Sequence, residues 1–292
     1  MKKIKSEKLI VIKAGSSLTT LASGLPNLRF IKSISEQISR LYKKGFHIVL
    51  VSSGAIAQGM KIWNLSSKPK SVDFLQALSA SGQIELINNY QKEFKKFNLI
   101  AAQVLLSHSD FGVKSRSENA KNSISNLIKL GAIPIINEND SISTEEILNG
   151  DNDRLSGKVA TLLRSKKLFI LTDQNGLYDK NPDQHVDAKI INKINLNKFD
   201  FKEVSFGDSG ILGRGGMTTK IKAAKDYLKK SNEVWILNGN DQGILEKAIQ
   251  KKELEQGFIY PNFLIDLISL DFLRATAFFG RTFLLANLSK TF

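Results

Sequence analysis

Residues 133–140 read Ile-Pro-Ile-Ile-Asn-Glu-Asn-Asp, and residues 149–156 read Asn-Gly-Asp-Asn-Asp-Arg-Leu-Ser. The first is an apolar run with the look of a buried strand, emptying into Asn137, Glu138, Asn139 and Asp140. The second places Asp151, Asn152 and Asp153 at the expected start of a helix. Small polar residues gathered at the C-terminal end of a strand are how an open α/β sheet holds a charged ligand. Carboxylates and amides without His or Cys suit an ammonium-bearing substrate and a hard cation such as magnesium, and do not suit zinc.

Outward from that stretch, strand-like and helix-like segments alternate. Strands are expected at residues 9–13, 47–51, 100–106, 133–136, 168–171 and 233–237. Helices are expected at 27–44, 72–97, 117–130, 151–164 and 216–230. Alternation of this kind predicts an α/β fold, a three-layer αβα sandwich around a mostly parallel central sheet. After Pro261 the pattern changes to an apolar, aromatic stretch, so residues 1–262 are expected to form the main domain and 263–292 a short tail of unassigned role.

Composition narrows the function. The chain has 292 residues, 42% of them hydrophobic, and no cysteine, which excludes disulfides, zinc–thiolate sites and cysteine nucleophiles. The apolar run after the basic N-terminus is interrupted by Lys13, and no span approaches the ~20 apolar residues of a membrane helix. A cytoplasmic protein with no membrane partner is the expectation. The net charge of +14 comes from scattered lysines, such as Lys43-Lys44 and Lys95-Lys96, at expected helix ends. Without an Arg-rich run or an aromatic ladder, no nucleic-acid partner is expected.

Four glycine-bearing turns follow strands. Lys13-Ala14-Gly15-Ser16-Ser17 offers a close backbone approach and a lysine at a strand tip. Ser52-Ser53-Gly54-Ala55 is a strand–turn–helix junction of the kind that holds oxyanions. Thr172-Asp173 ends a strand ahead of Asn175-Gly176. Gly213-Arg214-Gly215-Gly216-Met217-Thr218-Thr219-Lys220 opens a helix with a lysine one turn in, a phosphate cradle that is not a Walker A sequence. Two lysines, Lys13 and Lys220, from opposite ends of the chain suit the bracketing of a phosphoryl group, with Asp153 between them. The nucleophile-elbow pattern is not matched, and His47, His108 and His185 read as ordinary residues.

Taken in order, these motifs resemble the amino acid kinase family, and within it the members that phosphorylate glutamate. The likeness covers roughly residues 8–261 and rests on Val-Ile-Lys-Ala-Gly-Ser-Ser, Val-Ser-Ser-Gly-Ala-Ile-Ala, Gln-Ala-Leu-Ser-Ala-Ser-Gly-Gln, Ile-Asn-Glu-Asn-Asp, Gly-Asp-Asn-Asp-Arg-Leu-Ser, Leu-Thr-Asp-Gln-Asn-Gly-Leu-Tyr and Gly-Gly-Met-Thr-Thr-Lys. The resemblance implies ATP-dependent phosphorylation of the γ-carboxylate of L-glutamate, the first step towards proline, with Mg2+ bound mainly through the ATP phosphates. It implies Lys13, Lys220 and Asp153 as catalytic residues. Ser53, Gly54, Asn137, Asp140, Asp151 and Asn152 would bind glutamate. Lys13, Gly15, Thr172, Asp173, Arg214, Gly215, Gly216, Met217, Thr218, Thr219 and Lys220 would bind the nucleotide. A homo-oligomer, dimer or tetramer, and a downstream glutamyl-phosphate reductase are implied as partners.

Three departures stand out. The family has a small residue where this chain has Arg214. Its final strand motif survives only as Gly257-Phe258-Ile259-Tyr260. The C-terminal domain many members share with RNA-modifying enzymes is not expected here, since about thirty residues follow Pro261. Two other readings remain open: a related kinase acting on acetylglutamate, aspartate, carbamate or UMP, and a catalytically weak regulatory protein on the same fold.

Overall fold

The computed structural model describes residues 4–150, 152–175, 178, 185–189, 193–195, 217–227, 232–254 and 264–268. In chain order its elements are β1 (Leu9–Ala14), α1 (Ser16–Thr19), α2 (Leu28–Lys43), β2 (His47–Ser52), α3 (Ala55–Ile62), α4 (Val72–Lys95), β3 (Ile100–Leu106), α5 (Lys114–Lys129), β4 (Ala132–Glu138), α6 (Glu145–Asn149), α7 (Asn152–Leu162), β5 (Lys167–Thr172), β6 (Lys193–Asn195), α8 (Met217–Tyr227), β7 (Glu233–Asn238), α9 (Ile244–Leu254) and β8 (Leu264–Ile268). Local chemistry sets the ends of the larger helices. The Asn27 side chain caps α2 by accepting from the Phe30 N–H, and Ser71 caps α4 in the same way.

The strands form one eight-stranded sheet in the order β3-β4-β2-β1-β5-β7-β8-β6. Every pairing is parallel except β6 with β8. Strand order reverses about β1, whose neighbours are β2 and β5, so the crevice for a ligand lies beyond the carboxyl end of β1.

Period-2 alternation sorts the buried side chains of each strand between two cores. Ile10, Ile12 and Ala14 of β1 pack with α2, α4 and α9 on one face. Leu9 and Val11 pack with α5, α7 and α8 on the other. Strands buried on both faces read as continuous apolar runs, which is why β1, β2, β4, β5 and β7 were visible in sequence.

The expected strands and long helices lie within a few residues of their predicted bounds. Differences fall at short elements. The last strand is not Glu233–Asn238. β8, beyond the expected boundary at residue 262, pairs parallel with β7, so the sheet continues into the stretch expected to be a tail. The expected strand motif at residues 257–260 lies outside the described residues, as do residues 269–292.

Helices α3 and α4 cross with their backbones in contact. A Cβ on Gly82 would lie 2.0 Å from the Ala55 carbonyl oxygen, and one on Gly59 would lie 2.1 Å from that of Leu78. Gly82→Ala must therefore push the two helices apart. Overpacking of this kind is expected to cost about 2–3 kcal/mol, read as a lower urea midpoint with an unchanged slope; an unaltered midpoint would show that the crossing yields freely.

Candidate active site

The alternation in β1 that sends Leu9 and Val11 towards α7 and α8 carries Lys13 to the same face. There its ammonium meets Asp153 in the first turn of α7, Nζ to Oδ1 2.7 Å. Lys220 comes from α8 to the other oxygen, Nζ to Oδ2 3.3 Å, and the Thr219 hydroxyl donates to that same Oδ2 at 2.7 Å. All three charged residues are buried, Lys13 4%, Asp153 0% and Lys220 7% exposed.

Two cations on one carboxylate leave a net positive charge inside the protein, where charge is costly unless met by another. Burial would raise the Asp153 carboxyl, but Lys13 and Lys220 outweigh it and hold it at about 2. Burial lowers the Lys220 ammonium, which Asp153 partly restores and Lys13 lowers further. An arriving anion would relieve the Lys220 ammonium, so the arrangement is suited to holding one.

The turn β2–α3 sets the next group. Gly54 sits at φ +108°, and a Cβ there would lie 2.9 Å from Thr19 Oγ1, so only glycine fits the corner. Ser53 thereby faces Asn152, whose Nδ2 donates to Ser53 Oγ (2.9 Å), Asn137 Oδ1 (3.0 Å) and the Ser52 carbonyl (3.2 Å). Asn137 in turn donates to Gln83 Oε1 at 2.8 Å. Asp140 accepts from the Ser79 hydroxyl at 2.5 Å, and its carbonyl accepts from Gln76 Nε2 at 2.7 Å. Ser53 also donates to Glu146 Oε1 at 2.9 Å.

The buried polar atoms with no hydrogen-bond partner among the described residues include three beside Ser53 and Asn137: Asp140 Oδ1, Asn152 Oδ1 and Gln83 Nε2. Two are acceptors and one is a donor, as a ligand bearing both an ammonium and a carboxylate requires. Burial pushes Asp140 up to about 6, against the pull of Ser79, so a cationic ligand group would stabilise its charged form. Glu138, raised by burial to about 7, lies 3.5 Å from His108 Nε2.

A third group lies across β1. Thr172 ends β5, and the Asp173 carboxylate accepts from Ser17 (3.0 Å) and Thr172 (3.2 Å). The Gly239 N–H donates to the Thr172 carbonyl at 2.8 Å, and Asn238 Nδ2 donates to Asn175 Oδ1 at 2.6 Å. Gly15 keeps the Lys13 tip clear, since a Cβ there would lie 3.1 Å from Nζ.

Of the residues singled out in the sequence, Lys13, Lys220 and Asp153 meet directly, and Ser53, Gly54, Asn137, Asp140 and Asn152 gather beside them. Thr219 joins through its hydroxyl. Met217 and Thr218 open α8. Asp151, Arg214, Gly215 and Gly216 lie outside the described residues. Sequence reading missed Gln76, Ser79, Gln83 and Glu146. The first three sit at i, i+3 and i+7 on α4, a polar stripe that was a usable signal.

An open parallel sheet with a cluster suited to an anion at its carboxyl edge defines a doubly wound αβα protein of the ligand-binding kind. The chain belongs to the amino acid kinase family, whose profile matches residues 8–238. It is 42% identical over 84% of its length to the glutamate 5-kinase of Marinomonas sp. (strain MWYL1), and spans 66% of that relative. It is 40% identical over 86% of its length to the glutamate 5-kinase of Caldanaerobacter subterraneus, spanning 67% of it. The chain thus spans about two thirds of the length of the curated relatives it matches. Among solved structures an isopentenyl phosphate kinase superposes with a TM-score of 0.56 at 16% identity, covering 87% of this chain and 99% of that one. The UMP kinase from Ureaplasma parvum gives 0.54 at 14%, covering 89% and 99%. At such identity these two share the fold.

Proposed function

We propose that the chain is a glutamate 5-kinase, transferring the γ-phosphoryl group of ATP to the γ-carboxylate of L-glutamate. The observation that carries this reading is the Lys13–Asp153–Lys220 cluster beside a pocket whose unpartnered atoms match an amino acid. The two relatives bearing that name support the choice of acceptor.

A γ-carboxylate oxygen attacks the γ-phosphorus, and the bond from that phosphorus to the β–γ bridging oxygen breaks, releasing ADP. The acceptor is already ionised at neutral pH, so no general base is required. Charge neutralisation is what remains for the protein to supply, and Lys13 and Lys220 supply it while Asp153 fixes their spacing. Thr172, Asp173 and residues 214–220, the last four of them in α8, take the nucleotide side; Ser53, Gly54, Asn137, Asp140, Asp151 and Asn152 take the glutamate side.

Magnesium, when bound, would supply added charge neutralisation at the phosphates. Among the described residues no cluster of three His, Cys, Asp or Glu side chains fits a metal, and an ion carried on ATP phosphates and water suits that donor set. Among the described residues no helix is long and apolar enough to cross a membrane. A cytoplasmic homo-oligomer feeding a reductase completes the proposal, as does one kinase domain that takes in β8 and so runs past residue 262.

Purified protein with ATP and a panel of amino acids, assayed for ADP release with hydroxylamine trapping of the acyl phosphate, tests it. Glutamate-dependent hydroxamate is expected; product with acetylglutamate, aspartate or carbamate instead would sink the reading. Asp140→Asn separates these acceptors further. Losing a charge-assisted bond to the substrate ammonium costs ~1.5–3 kcal/mol, so the glutamate KM should rise about 10- to 150-fold with the ATP KM little changed. Equal effects on both substrates would make Asp140 structural.

A further inference from the structure

Glu146 is absent from every role assigned above, yet its carboxylate lies inside the proposed glutamate pocket. It is carried by the five-residue helix α6, anchored by the neighbouring Ile147, which packs against Leu75 and Leu78. Oε1 accepts the Ser53 hydroxyl at 2.9 Å, and Oε2 accepts the backbone N–H of Asn152, the first residue of α7, at 2.7 Å. Lys13 contributes its charge to the same carboxylate. One hydroxyl, one helix-start N–H and a nearby lysine make a cradle for a carboxylate. The cradle is filled from within.

The chemistry of the occupant is the telling point. A glutamate residue ends in CH2–CH2–COO−, the same reacting end as free glutamate. We propose that Glu146 is an internal stand-in for the acceptor carboxylate, holding Ser53 and the Asn152 N–H until substrate glutamate displaces it. This rests on glutamate being the acceptor.

Two observations favour displacement over a fixed structural role. Burial raises the Glu146 carboxyl to about 7, with Lys13 and the Asn152 N–H pulling it down, so the contact is a strained one for the charged form. The unpartnered Asp140 Oδ1, Asn152 Oδ1 and Gln83 Nε2 lie around the same pocket and complement an amino acid's ammonium and second carboxylate, which Glu146 lacks. Free glutamate therefore satisfies groups that the stand-in leaves unmet. An intramolecular competitor lowers apparent affinity by the fraction of molecules with an open cradle.

The test is glutamate binding to the full chain by calorimetry, without ATP, for the wild type, Glu146→Ala and Glu146→Gln. Glu146→Ala should tighten the dissociation constant at least threefold, and Glu146→Gln, which keeps the shape but loses the charge, should tighten it less. If the alanine variant does not fold by circular dichroism, the glutamine variant carries the comparison and must still bind more tightly than wild type. Binding equal to or weaker than wild type in the folded variants overturns the stand-in and leaves the glutamate reading intact; a direct role for Glu146 in holding the substrate ammonium would give that weakening. A wild-type chain that binds no glutamate at all overturns both.

Discussion

Asp153→Asn is expected to reduce turnover at least a thousandfold and to lower folding stability by about 3–5 kcal/mol. The carboxylate is wholly buried and contacts both Lys13 and Lys220. An amide of the same shape keeps the packing but takes from two buried ammonium groups the carboxylate they share, leaving Lys13 only the Glu146 carboxylate and Lys220 only that of Asp173. Either they lose protons or the surrounding helices loosen, and in both cases the phosphoryl-binding geometry goes. The pH dependence has a definite sign. The Asp153 carboxyl is held at about 2, below its usual 3.8, so its contribution is fully present above pH ~4 and is lost as the pH falls towards 2. Urea denaturation at pH 7 and kcat measured on the same preparation check both halves. A variant that is as stable as wild type would mean the lysines find other partners.

Lys220→Ala is expected to lower kcat about 10²–10³-fold while the glutamate KM stays within about threefold. Its ammonium reaches Asp153 from α8, across that residue from Lys13. A charge aimed at the transferring group is worth more as negative charge develops on it than in the ground state. Lys13 remains on Asp153 at 2.7 Å in this variant, so the interior keeps one balanced pair and the fold should survive. Turnover within about threefold of wild type would remove the transition-state role.

Legibility in the sequence followed burial. Runs such as Ile10-Val11-Ile12 and Phe169-Ile170-Leu171 announce central strands because both faces of the sheet are covered. β6 has three residues and gave no such run. The α3–α4 crossing was hidden, because Gly59 and Gly82 read as ordinary helix-weakening glycines until their backbones are seen in contact. At the site, the charged residues stood out because a lysine interrupting a strand or ending a glycine loop conflicts with its surroundings. Glu146 did not. It sits in Thr144-Glu145-Glu146, where acidic residues at a helix start are expected for the dipole alone. Only its two bonds, to Ser53 and to the Asn152 N–H, separate it from Glu145.

The charged cluster also sets an order of events during synthesis. Lys13 and Asp153 are both made before Lys220, which follows Asp153 by 67 residues. At ribosomal speeds of about 5–20 residues per second, that interval lasts roughly 3–13 s. Through it the nascent chain carries Lys13 and Asp153 without Lys220, the second ammonium on that carboxylate. The two-lysine cluster comes into being only when α8 docks against α7. A nascent chain halted before residue 220 has Lys13 and Asp153 but lacks the second ammonium of the cluster.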